Sequence, residues 1–177
     1  MTKWSRFLLL GSLMVSSVGC DQATKAIANA AIAGGPSLSY FGGAVRLTYA
    51  ENPGGFLSLG ADLPAEVRGW LFGIAPALVV VGLLVPLVRN HALSRGEVIG
   101  LGLIVSGAVG NLIDRLLFGA VRDFMHVGIG PLRTGIFNGA DLAVTAGVAI
   151  FCYVAATRKA ETEAAGPLTR PSGGPPE

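Results

Sequence analysis

Three aspartates, Asp114, Asp123 and Asp141, fall within residues 107–141, GAVGNLIDRLLFGAVRDFMHVGIGPLRTGIFNGAD, in or beside sequence apolar enough to sit in a lipid bilayer. On insertion scales a charge in hydrocarbon costs roughly 2.5–3.5 kcal/mol, so an ionisable residue there is a candidate for function. Two carboxylates held close together cannot both ionise easily; one keeps a proton and the other acts as a base toward water. The chemistry open to such a pair is hydrolysis. Three aspartates compete for the two places. Asp114 is followed directly by Arg115 and shares a helix face with Asn111, which suits a structural ion pair. Asp123, in Val121-Arg122-Asp123-Phe124, reads as part of a loop or re-entrant segment able to dip back toward Asp141. The residues alone favour Asp123 with Asp141 only slightly over Asp114 with Asp141.

Other chemistries find less support. His91 and His126 are isolated, and Cys20 and Cys152 lie in separate apolar segments without ligand spacing, so neither a metal nor a cofactor is expected. Both cysteines read as small buried apolar residues. No serine stands in a recognisable arrangement with a base.

The elements that must position the aspartates follow from composition. Of 177 residues 51% are hydrophobic and only 14% charged, with mean hydropathy +0.61. Soluble domains carry about a quarter charged residues, so the chain reads as a membrane protein. A net charge of +2 and the lack of a basic block argue against nucleic acid as a partner. Four spans are expected: from Phe7 to near Ala30, then residues 69–88, 98–113 and 137–156. Pro76 and Pro86 in the second are tolerable where neighbouring helices satisfy freed carbonyls. Glycines in the third, among them Gly100 and Gly107, permit close helix packing. Ser17-Val18-Gly19-Cys20 looks like a weak lipoprotein cleavage box, but apolar periodicity continues past it, so a retained first helix is expected. Residues 34–64, rich in Gly, Pro and alternating pieces, read as short strands and turns outside the hydrocarbon. Residues 1–159 form the membrane domain in this reading, and residues 160–177 a disordered cytoplasmic tail.

Lys3, Arg6, Arg89, Arg95, Arg158 and Lys159 flank the ends that four spans place on one side, which makes both termini cytoplasmic. Spans one and three then end, and spans two and four begin, on the opposite face. Asp21 with Lys25, Asn111 with Asp114 and Arg115, and Asn138 with Asp141 therefore collect at one depth. Each set has i,i+3 or i,i+4 spacing and shares a helix face.

At this point the residues resemble a known family, the bacterial lipoprotein signal peptidases (signal peptidase II). The resemblance rests on Asp21-Gln22-Ala23-Thr24-Lys25, Asn52-Pro53-Gly54-Gly55-Phe56, Gly110-Asn111-Leu112-Ile113-Asp114-Arg115 with Val121-Arg122-Asp123-Phe124, and Phe137-Asn138-Gly139-Ala140-Asp141. It implies an aspartic endopeptidase of the bacterial inner membrane that cuts diacylglyceryl prolipoproteins before the lipidated cysteine, with membrane lipids around it. It also implies inhibition by globomycin and a catalytic pair of Asp123 and Asp141, with the site at the periplasmic face. Asn52, Asn111, Arg115 and Asn138 match substrate-site positions, Asp21 and Lys25 a polar rim, and Asp114 is left a structural role. The fold implied is all-α, four transmembrane helices with a small external β-like cradle and a periplasmic loop or helix; a monomer is expected. The chain departs from many members in having one small residue, Gly55, rather than two between glycine and aromatic in the Asn52 motif. Two rival readings make different demands. A carrier would need midplane sites and internal repeats, and a lipoprotein anchored at Cys20 would be shortened and acylated.

Overall fold

The structure is a computed structural model that describes residues 1–55 and 58–164. Four long helices form a bundle: α1 (Lys3–Ile32), α2 (Ala65–Arg89), α3 (Arg95–Phe118) and α4 (Gly139–Ala164). Each is long and apolar enough to cross a membrane. The bundle is turned out relative to a soluble protein. Trp4, Leu8, Val15, Leu78, Val79, Leu116 and Tyr153 are exposed, whereas Asp21, Lys25, Asp114, Asp123 and Asn138 are buried. Lipid takes the place of water against the apolar faces, and polar groups gather inside where they can bond one another. Cys20 and Cys152 follow this rule and are exposed, contrary to the expectation that they are buried, because only a narrow stripe of each helix faces its neighbours.

Local sequence explains the element boundaries. In α2 the segment Gly69–Ile74 is a wider π turn directly before Pro76, whose ring has no N–H to offer the preceding turn. Helix α3 opens with a capping box, Ser94 with Glu97, and closes at Gly119 with φ 75°, a left-handed cap that glycine adopts freely. It runs five residues beyond the expected end at Ile113, carrying Asp114 and Arg115 within it. Helix α4 continues to Ala164, past the expected boundary at Lys159. The remainder of the expected tail lies outside the described residues.

Helices α3 and α4 form the most extensive contact in the bundle, and small residues set their separation. A Cβ on Gly147 would stand 2.6 Å from the Gly100 carbonyl, and one on Gly100 would stand 2.9 Å from the Gly147 carbonyl. Since both neighbours are backbone, the helices must move apart to admit a methyl. Gly147→Ala is therefore expected to lower stability in detergent by about 1–3 kcal/mol, read as a fall in Tm. An unchanged Tm would show that the helices can separate without loss.

The segments between α1 and α2, and between α3 and α4, meet in a four-stranded antiparallel sheet ordered β1 (Leu38–Tyr40), β2 (Val45–Asn52), β3 (Val121–Ile129) and β4 (Leu132–Arg133). Residues 34–64 were expected to hold short strands, and they do. Asp123 was expected in a loop or re-entrant segment; it lies instead on the inner strand β3, paired across to Ala50. Beyond β4 the chain returns along β3 through a Met125–Phe137 bridge, which sets the start of α4 against that strand.

Candidate active site

Asp141 belongs to the first turn of α4, and its position follows from a local rule. The Asn138 side chain accepts from the Asp141 N–H at 3.1 Å, while Asp141 Oδ2 accepts from the Asn138 N–H at 3.1 Å. This reciprocal exchange is a capping box built from asparagine and aspartate, and a helix start is a favourable place for an acidic side chain. Capping alone would account for Asp141. It does not account for a second carboxylate at the same asparagine.

Asn138 is fully buried and its amide donates to Asp123 Oδ1 at 2.6 Å, so one residue bonds both carboxylates. Strand geometry delivers Asp123 to it. Ala50 faces Asp123 across the sheet, and Asn52, two residues along on the same face, donates to Asp123 Oδ2 at 3.2 Å. Asn111 of α3 donates to Asp141 Oδ1 at 2.8 Å and accepts from Asn138 at 3.1 Å. Three asparagines from three elements thus hold two aspartates. Burial pushes the Asp123 carboxyl up to about 6, the nearby Asp141 charge adds to the rise, and the Asn52 and Asn138 amides oppose it.

Asp114 takes no part in that cluster. Its expected partner was Arg115, but one helical step turns the guanidinium away, and Arg115 Nη2 donates to the Gly54 carbonyl at 2.9 Å. Asp114 is instead paired to Arg122 at 2.7 Å and to Lys25 at 3.1 Å. It also accepts from the Arg122 N–H at 2.9 Å and from Gln22 at 3.1 Å. Asp21 and Lys25 were expected at the rim of the site. They are 2% and 0% exposed and bonded to each other at 2.8 Å, so they lie behind the site rather than at its edge. Lys25 spends its three protons on Asp21, Asp114 and, at 3.0 Å, Asn111. The other oxygen of Asp21 accepts from the Ala140 N–H at 2.8 Å, satisfying an amide left open at the start of α4.

The sequence reading gave no role to Gln22 or Arg122. Gln22 bridges Arg122, Asp114 and the Gly110 carbonyl, and Arg122 also packs over the Phe118 ring at 4.2 Å. The signal was alternation in Val121-Arg122-Asp123-Phe124, which as a strand sends Arg122 and Asp123 to opposite faces.

A cavity of about 450 Å³ lies between the start of α2 and the end of α3, lined by residues including Pro53, Arg68, Phe72, Leu112 and Arg115. Arg115 Nε is buried and has no hydrogen-bond partner among the described residues, leaving a donor free beside this space. Asn52 stands close by, its side-chain oxygen Oδ1 accepting from the Gly54 N–H at 3.0 Å. Phe56 of the same motif lies outside the described residues. Among the described residues no group of three or more His, Cys, Asp or Glu is arranged to hold a metal ion.

Residues 13–157 match the family model described as signal peptidase (SPase) II. A lipoprotein signal peptidase of Desulforapulum autotrophicum is 36% identical over 148 residues, covering 84% of this chain and 90% of the relative. One of Gloeobacter violaceus is 35% identical over 156 residues, covering 86% and 83%. Among solved structures, a bacterial membrane enzyme at 24% identity superposes with TM-score 0.75 over 91% of this chain and 93% of its own. A second bacterial membrane enzyme, at 26% identity, gives TM-score 0.70 over 82% and 90%.

Proposed function

The chain belongs to the signal peptidase II family, a family of membrane proteases, and we propose that it cuts diacylglyceryl-modified prolipoproteins immediately before the lipidated cysteine, using Asp123 and Asp141 as a water-activating pair. The observation that carries the pairing is the single buried asparagine, Asn138, bonded to both carboxylates. Water held between the aspartates is deprotonated by one of them acting as base. Asp123, whose carboxyl is pushed up to about 6, keeps the proton of the pair and offers it to the scissile carbonyl. Asp141 takes the proton of the attacking water. The hydroxide adds to the carbonyl carbon to give a gem-diol; as the C–N bond breaks, Asp141 passes its proton to the leaving amine and a gem-diol hydroxyl returns its proton to Asp123. Arg115, with its free Nε, and Asn52 hold the peptide backbone in register along the 450 Å³ cavity. The acyl chains lie against α2 to α4. In this reading both termini are cytoplasmic in the bacterial inner membrane, the carboxylate end faces the periplasm, one copy suffices, and globomycin competes for the cleft.

The test is cleavage of a prolipoprotein in liposomes, followed by mass spectrometry of both fragments. The lipidated form is expected to yield a product beginning at its modified cysteine, and the unlipidated form to remain whole. Equal cleavage of both, or of neither, would remove the proposed substrate.

The raised Asp123 carboxyl has a signature in pH. If Asp123 must hold the proton, kcat/KM declines about tenfold per pH unit above its pKa in the free enzyme, near 6. Asn52 donates to the ionised carboxylate and so holds that pKa down; Asn52→Ala is expected to move the falling limb to higher pH. A limb that stays in place when Asn52 is removed belongs to another group.

A further inference from the structure

At the end of the bundle away from the carboxylates, the first turns of α1 meet the last turn of α2. A cavity of about 290 Å³ lies there, walled by residues including Lys3, Arg6, Phe7, Leu10, Arg89 and His91, with no acidic side chain in its lining. Arg6 is only 6% exposed. Its Nη1 donates to the Asn90 carbonyl at 2.8 Å, which anchors it at the C-terminal end of α2. Its Nε and Nη2 are buried and have no hydrogen-bond partner among the described residues. These two N–H groups share one edge of the guanidinium and point in parallel, the geometry that grips a phosphate bidentately.

Capping the α2 carbonyls explains Nη1 and leaves the other edge unused. Burying two donors without an acceptor is costly, so the unused edge asks for an anion. Lys3 and Arg89 stand exposed at the mouth, and neither is in an ion pair among the described residues. The surrounding surface is lipid-facing: Trp4 is 80% exposed and Phe7 59%. Tryptophan at a helix end marks headgroup depth, where cations between membrane helices meet anionic lipid.

We propose that this cavity binds a phosphate group, that of an anionic phospholipid headgroup, gripped by the Nε–Nη2 edge of Arg6 and neutralised by Lys3 and Arg89. The headgroup reaches the guanidinium by displacing the exposed His91 side chain at the mouth. The site is remote from the aspartates and stands apart from the peptidase reading.

Native mass spectrometry of the full chain in neutral detergent tests this, with dioleoylphosphatidylglycerol, dioleoylphosphatidylcholine and inorganic phosphate as probes. Phosphatidylglycerol is expected to be retained about tenfold more tightly than phosphatidylcholine, and the preference to be largely lost in the double variant Lys3→Gln/Arg89→Gln and in Arg6→Gln. The double variant alters only exposed side chains, so it decides the matter if Arg6→Gln fails to fold. Equal retention of the two lipids, or an undiminished preference in the double variant, overturns the proposal. Displacement of phosphatidylglycerol by inorganic phosphate at equal concentration overturns the lipid source and assigns the site to free phosphate.

Discussion

Asp123→Asn and Asp141→Asn are each expected to give a folded membrane protein that leaves a diacylglyceryl prolipoprotein whole, with kcat/KM reduced by at least about 10³. An amide has nearly the shape of a carboxyl but can neither take a proton from water nor pass one to a leaving amine. The two losses should not add in the double variant, because in the proposed mechanism the residues act on one water. If Asp123→Asn still cleaves while folded Asp114→Asn does not, the pairing is wrong and Asp114 takes the vacant role. Stability provides an independent check on the same residue. The Asp123 carboxyl is raised from 3.8 to about 6, by burial first and by Asp141 second. Between those values the unfolded chain ionises this group while the folded one still holds its proton. Stability is therefore undiminished below about 3.8, falls as pH rises, and carries the full penalty above about 6, at most about 3 kcal/mol. The wild-type Tm should drop over that window by a component that Asp123→Asn lacks. Parallel Tm–pH curves for the two proteins would show that Asp123 does not carry the ionisation penalty assigned to it.

Hydropathy is a one-dimensional property, and what depends on it was legible. Residues 69–88 contain no charge, and α2 lies over them. The gathering of polar residues at one end of the bundle followed from counting spans, and the spacing of Asn138 and Asp141 already contained their mutual hydrogen bonds. Pairings across long stretches of chain were not legible. The length of α3 beyond Ile113 depends on Asp114 being neutralised by Lys25 and Arg122, neither of which is its sequence neighbour. The strand around Asp123 depends on β2, some seventy residues earlier, whose edge satisfies its backbone. With that partner unknown, a charged segment between two spans reads as a loop. The burial of Asp21 and Lys25 was not legible for a related reason. Their i,i+4 spacing predicts that they touch, and it is silent on whether another helix covers them.

That covering makes Lys25→Met the substitution with the largest expected cost to the fold, about 3–5 kcal/mol. Lys25 is fully enclosed and is one of two cations against Asp21 and Asp114 in the cluster closed by Arg122. Removing it leaves Asp114 paired to Arg122 and Asp21 buried without a cation, and the surplus charge has no water to reach. Asn111 also loses one of the two donors to its side-chain oxygen, leaving Asn138 alone to fix the amide that orients Asp141. The variant should therefore melt well below wild type in detergent, and whatever fraction stays folded should cleave slowly. Pairing Lys25→Met with Asp21→Asn removes one carboxylate along with the ammonium and should recover part of the Tm, since the remaining Asp114–Arg122 pair is electrically complete. Recovery of Tm without recovery of cleavage would separate the two duties of the lysine, charge balance in the bundle and the setting of Asn111 beneath Asp141. Lys25→Met melting with wild type would mean that the buried charges are not what holds α1 against α3.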